Sequence, residues 1–302
     1  MTVWATVEAP SGLGLRAAGV ELLPRALAEA GLLDALDAPS AATLEVPAKT
    51  LVRDTATGVL HAPELARFST ALADAVGAVL DTGRFPLVLG GDCSILLGNA
   101  LALHRRGRFG LLFLDGHADF YQPAAEPTGE AASMDLALVT GHGPALLAGV
   151  TGGASLIRTD DAVAFAFRDG EESAHDGSQP LPADLVAFDL AAVRSRGSEQ
   201  AAHDALAHLT RPGGPERFWI HIDADVLDDA VMPAVDYRLP GGLRTDELAG
   251  ALRIAMATGR VAGAEVTIYN PTLDPGGVAG RNLVGALTTG LQEDGELGRR
   301  PT

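Results

Sequence analysis

Short apolar runs alternate along this chain with longer segments rich in Ala and Leu. Runs such as PLVL, GLLFL and FWIHI are too short for helices, and turn formers or charged residues bound them. The segments between them repeat apolar residues three and four apart. This pattern predicts strands over 86–89, 110–114, 162–167, 185–188, 218–222 and 262–268, and helices over 63–82, 94–106 and 245–258. Strands that are apolar throughout belong to a sheet covered on both faces, so the expected class is α/β with a mainly parallel sheet. Polar or Gly/Pro-rich stretches at 122–132, 169–182 and 195–203 are expected to be connections, where functional side chains gather. With no internal repeat and no break in composition, one domain over 1–302 is expected, with 294–302 a flexible tail.

Two of the predicted strands run straight into acidic clusters. LFLDGHADF carries Asp115, His117 and Asp119, and HIDADVLDD carries Asp223 and Asp225. If the chain stays extended, alternate residues fall on one side, beyond the carboxyl ends of the strands where ligands of open α/β sheets collect. A single Asp at a strand end is ordinarily a cap. Several carboxylates in one small volume repel each other unless a cation compensates them. Oxygen donors with one imidazole suit Mn²⁺ or a similar divalent ion, and bridging carboxylates would hold two ions roughly 3.5–4 Å apart. His221, one alternation back from Asp223, reads either as a core histidine or as a functional one.

Composition narrows the partners. Hydrophobic residues make up 47% of the chain, enough to fill a core, and 39 acidic against 22 basic side chains leave a formal net charge of -17. Such a surface repels phosphate backbones and anionic membranes, which sets nucleic acid and lipid aside and leaves a small-molecule substrate. The only cysteine, Cys93, rules out an intrachain disulfide and fits a reducing compartment. The first residues lack a basic segment followed by an apolar stretch, so a soluble, cytoplasmic protein is expected.

Taken in order, LGGDCS at 89–94, LDGHADF at 114–120, HIDADVLDD at 221–229 and PGGL at 240–243 resemble the motifs of the arginase/agmatinase/formimidoylglutamase family, the ureohydrolases. The resemblance spans roughly residues 85–290. It implies a three-layer α/β/α domain, a binuclear Mn²⁺ site, hydrolysis of a guanidinium or amidine C–N bond by metal-bound hydroxide, and homo-oligomers, trimers or hexamers. It further implies that Asp115, His117, Asp119, Asp223 and Asp225 are metal ligands, with Asp115 and Asp223 bridging. His117 and Asp119 would also serve catalysis, Asp119 orienting the nucleophile and passing on a proton.

The chain departs from the family at three places. The histidine expected in a GGDHS motif is Cys93, which as a thiolate would ligate metal and admit Zn²⁺ or Fe²⁺ beside Mn²⁺, or would be a small buried thiol opening a helix. The family's proton-shuttle histidine falls on Ala132 and a substrate-binding asparagine on Glu130, with His142 as a distant substitute. The glutamate that pairs with a substrate guanidinium is Ile268, with Glu265 nearby but on the opposite face. In FRDGEES, Glu171 falls where arginases place the acid that receives the substrate's ammonium, while Asp236, Tyr237 and Arg238 border the cleft and Asp228 holds its own loop. Two classes of function stay open: a metal-dependent C–N hydrolase other than a standard arginase, and a catalytically silent ureohydrolase-fold protein with a binding or regulatory role.

Overall fold

The computed structural model describes residues 2–148 and 154–292. Among them, eight strands form one parallel sheet: β1 (Trp4–Ala9), β2 (Ser40–Thr43), β3 (Phe85–Gly90), β4 (Phe109–Leu114), β5 (Ala162–Phe165), β6 (Val186–Phe188), β7 (Arg217–Asp223) and β8 (Val261–Thr267). Their spatial order is β2-β1-β3-β8-β7-β4-β5-β6. All six predicted strands are present to within two residues at either end. β5 stops at Phe165, short of residue 167, because Ala166 turns away with φ 73°. β1 and β2 lie outside the predicted set. β1 interleaves Thr6 and Glu8 with its apolar residues, and β2 is a short polar edge strand, so neither makes an apolar run.

Helices cover both faces, giving three α/β/α layers. On one side, the helix Ala62–Asp81 turns Leu65, Phe68, Leu72, Val76 and Val79 inward at helical spacing, and with Leu96–His104 it packs on Val88, Leu111, Phe113 and Trp219. On the other, Ser198–Leu209, Thr245–Ala257 and Val278–Leu291 pack on Leu112, Leu114, Ile220 and Ile222. Residues 195–203, expected as a connection, are helical except at Gly197, whose φ of 81° joins Leu190–Arg196 to Ser198–Leu209. Polar Glu199, Gln200, His203 and Asp204 obscure the buried Ala201, Ala202, Ala205, Leu206 stripe in the sequence. Among the described residues no helix is long and apolar enough to cross a membrane. The expected flexible segment 294–302 lies outside the described residues.

Candidate metal centre

The site is built at the carboxyl ends of the central strands. β4 ends at Leu114 and the chain then turns: Asp115 Oδ1 accepts the His117 N–H at 2.6 Å, and Asp119 takes φ 44°. A tight turn, not the alternation of an extended strand, therefore brings donor atoms of Asp115, His117 and Asp119 within 4.8 Å of one another. The turn requires glycine at 116, where a Cβ would lie 2.5 Å from Arg168 Nη1 and 2.7 Å from the Asp225 carbonyl. A second turn follows β7, in which Asp223 Oδ1 accepts the Asp225 N–H at 2.7 Å. Asp225 then joins the two turns: Oδ1 accepts the Gly116 N–H at 2.9 Å, and Oδ2 lies 2.8 Å from His117 Nδ1.

Cys93 enters from β3. Asp92 caps the turn by accepting the Ser94 N–H at 2.9 Å and also accepts from Gly14 N–H at 2.9 Å, which ties the loop after β1 to the site. The Cys93 thiol donates to Asp223 Oδ2 at 2.7 Å and lies 3.3 Å from Thr267 Oγ1. Two more residues join. Donor atoms of Cys93, Asp115, His221 and Asp223 fall within 4.8 Å of one another, as do those of Cys93, Asp119 and Asp135. Sequence reading missed Asp135; its one signal is an acid opening the apolar run LALV.

Charge is crowded here. Burial, reinforced by neighbouring carboxylates, pushes Asp119, Asp135 and Asp223 well above the ordinary carboxylate range. Burial pushes the Cys93 thiol up, with Asp223 and three further carboxylates adding to it. Burial works against charged imidazoles, yet Asp225 and Asp115 hold His117 well above its usual value, and Asp115 and Glu265 hold His221 at about 10. Burial likewise opposes ionisation of Asp115, but the two histidines outweigh it and keep that carboxyl low.

The donor set fits divalent cations. Asp115 Oδ2, Asp135 Oδ2 and His221 Nε2 are buried without a hydrogen-bond partner, each a cost of about 1–3 kcal/mol that cations would remove, one between Asp115 and His221 and one beside Asp135. Oxygen, imidazole and one sulfur donor match a hard-to-intermediate ion.

The centre opens into a cavity of about 270 Å³ whose walls include eight Asp and Glu residues and, as the one strong base among the described residues, Arg238, already paired with Asp229 at 2.5 and 2.9 Å. Of the expected substrate residues, Glu130 and Ile268 line it. Glu130 is held by three donors, accepting from Arg16 N–H, Thr128 Oγ1 and Tyr237 Oη. Glu171 and Glu265 do not line it. The segment 170–175 is a helix rather than a loop, so Asp169, Glu172 and Asp176 share the face that borders the cavity while Glu171 lies off that face. Glu265 is wholly buried between strands, held by Asn99, Trp219 and His221. Asp169 has one buried oxygen, Oδ2, without a partner. Ala132 lines the cavity, whereas His142 does not and instead contacts Thr140 at 3.2 Å. Tyr237 and Arg238 border the opening, Asp236 accepts from Asn270, and Asp228 accepts the Ala230 N–H within its own loop.

Comparison with known proteins agrees with this architecture. The chain is 27% identical to an arginase of Staphylococcus aureus (strain COL) over 278 residues, covering 89% of this chain and 90% of that protein. The solved arginase of Bacillus caldovelox superposes with a TM-score of 0.86 at 24% identity, covering 97% of this chain and 99% of the other. Formimidoylglutamase from Bacillus subtilis superposes with a TM-score of 0.72 at 18% identity, covering 96% and 86%. The profile of the arginase family matches residues 5–289, nearly the whole chain, and the chain belongs to that family.

Proposed function

We propose that this protein is a metal-dependent hydrolase of a linear C–N bond in an amidine, a modified guanidine or an amide, and that it is not a standard arginase. The observation that carries this reading is Ile268, an apolar side chain in the wall of an otherwise acidic cavity. An alkyl group opposite a guanidinium offers no charge-assisted hydrogen bond, so a group presented there is preferably neutral or weakly basic.

Cys93, Asp115, His117, Asp119, Asp223 and Asp225 would hold two divalent ions, Mn²⁺ first, with Zn²⁺ or Fe²⁺ admitted by the thiol. Ions held there would supply Lewis acidity and lower the pKa of a water to about 7. Asp119, whose backbone follows the turn after β4, would accept and return a proton at its carboxylate. Toward the opening, Asp169 Oδ2 and Glu172 would receive an ammonium at the far end of the substrate. Glu130, held by three donors, would shape the wall.

The test is a parallel assay of arginine, agmatine, guanidinobutyrate, formiminoglutamate and hydroxyarginine with Mn²⁺-loaded protein and with Ile268→Glu. Arginine and agmatine are expected to be the poorest substrates of the unaltered protein, and Ile268→Glu to improve both. Arginine hydrolysis at a kcat/KM of about 10⁴ M⁻¹s⁻¹ or more would overturn the proposal. Metal-replete protein that turns over none of the five would favour the binding role instead.

A further inference from the structure

An imidazole is missing at position 93, after β3, and another stands on β7, with only β8 between the two strands. His221 lies in β7 between two cross-strand neighbours, Phe113 of β4 and Glu265 of β8. Its ring stacks on Phe113 with centroids 4.5 Å apart and planes inclined by 6°. Nδ1 is 3.0 Å from Glu265 Oε1, and Glu265 is itself fixed by the Trp219 indole N–H at 3.2 Å and by the Asn99 amide. Held in this way, the ring directs Nε2 toward Asp115 Oδ2 at 3.6 Å, and both atoms are buried without a hydrogen-bond partner. Cys93 and Asp223 complete the group of four donors.

Two features favour a shared ion over a plain His–Asp ion pair. A charged N–H facing a carboxylate closes to about 2.7–2.9 Å, whereas 3.6 Å leaves both atoms unsatisfied. That separation is what two donors have when each lies about 2.0–2.2 Å from one ion at a near-tetrahedral angle. The second feature is Glu265. Metal-bound imidazoles commonly donate their other N–H to a carboxylate, and Glu265 occupies that place, in a core where a lone carboxylate is costly.

Resting on the binuclear reading above, we infer that His221 Nε2 ligates the ion at the Cys93 position, together with Cys93, Asp115 and Asp223, and that Glu265 is the positioning residue that orients the ring. One sulfur, one nitrogen and two oxygen donors favour Zn²⁺ or another tetrahedral ion there over Mn²⁺. The two positions would then differ in metal preference.

Apoprotein saturated with Zn²⁺ alone provides the decisive measurement, because X-ray absorption counts imidazoles without altering the protein. Two imidazoles and one sulfur per pair of ions are expected; one imidazole with one sulfur overturns the inference. Failure of the unaltered protein to bind two Zn²⁺ ions would instead sink the binuclear reading beneath it. Co²⁺ titration of variants gives a second readout. His221→Asn should weaken one ion at least 100-fold and diminish the thiolate–Co²⁺ absorption, and Glu265→Gln should weaken the same ion 10- to 100-fold. Asp225→Asn should weaken the other ion and leave that absorption in place. Unchanged affinity in both His221→Asn and Glu265→Gln counts against the inference, and if either variant does not fold, the imidazole count on the unaltered protein decides.

Discussion

Cys93 and Asp135 differ in how readily the sequence discloses them. Cys93 stands inside the motif LGGDCS, so its departure from the family pattern is visible at once, whereas Asp135 shows in the sequence only as an acid before the apolar run LALV and is set apart by its burial beside Cys93 and Asp119. Replacing Cys93 by His should raise Mn²⁺ affinity about tenfold or more, because imidazole suits that ion better than sulfur. Calorimetric titration of the two proteins checks this, and an unchanged affinity would remove the thiol from the ligand set. Asp135 has one oxygen without a partner and adds its charge to those of Asp115 and Asp119. Asp135→Asn should therefore raise the melting temperature of metal-free protein while shrinking the gain on adding Mn²⁺. Melts with and without chelator test it; a lower melting temperature in both conditions would show that the carboxylate is structural.

Turns and short helices decide which face a residue presents, and they are the elements least legible in a run of letters. Glu171 and Glu172 are interchangeable to the eye, yet the helix Gly170–His175 sets Glu172 at the cavity border with Asp169 and Asp176 and leaves Glu171 off it. Glu172→Gln should accordingly raise KM for an amine-bearing substrate severalfold and Glu171→Gln should not. Equal effects of the two changes on KM would refute that assignment. At the opposite end of the sheet, the turn Thr159–Asp161 carries a wholly buried Asp161 that accepts from Arg108 at 2.6 and 2.8 Å and from Arg211 at 2.8 Å. Asp161→Ala breaks these charge-assisted bonds at the start of β5 and should cost about 1.5–3 kcal/mol in urea unfolding, since the arginines are partly solvated and recover some hydration. A loss below about 0.5 kcal/mol would show that the network is only a surface one.

For the whole molecule, the acidic site makes metal binding and pH inseparable. Asp119, Asp135 and Asp223 have raised pKa values in the metal-free fold, so they contribute stability that is complete below the ordinary carboxylate value of 3.8 and is lost as pH rises through the raised values. His117 and His221, raised above 6.5, act in the same direction, and the opposite contribution of Asp115 falls below the neutral range. Metal-free protein should lose stability between about pH 6 and pH 8, and the gain in melting temperature on adding Mn²⁺ should grow over the same interval as protons cease to compete for the ligands. A gain independent of pH would argue that the metal does not bind these groups. The sequence by itself determined the α/β class, the six apolar strands and the two acidic strand ends, because hydrophobic runs and short motifs are local and survive as letters. Only the tertiary structure decided that β1 and β2 extend the sheet, that Glu172 rather than Glu171 faces the cavity, that Glu265 is locked behind His221, and that Asp135 lies beside Cys93 and Asp119. Each of these depends on turns and on pairing between strands far apart in the chain. Proximity across such distances is fixed by packing and has no local signature.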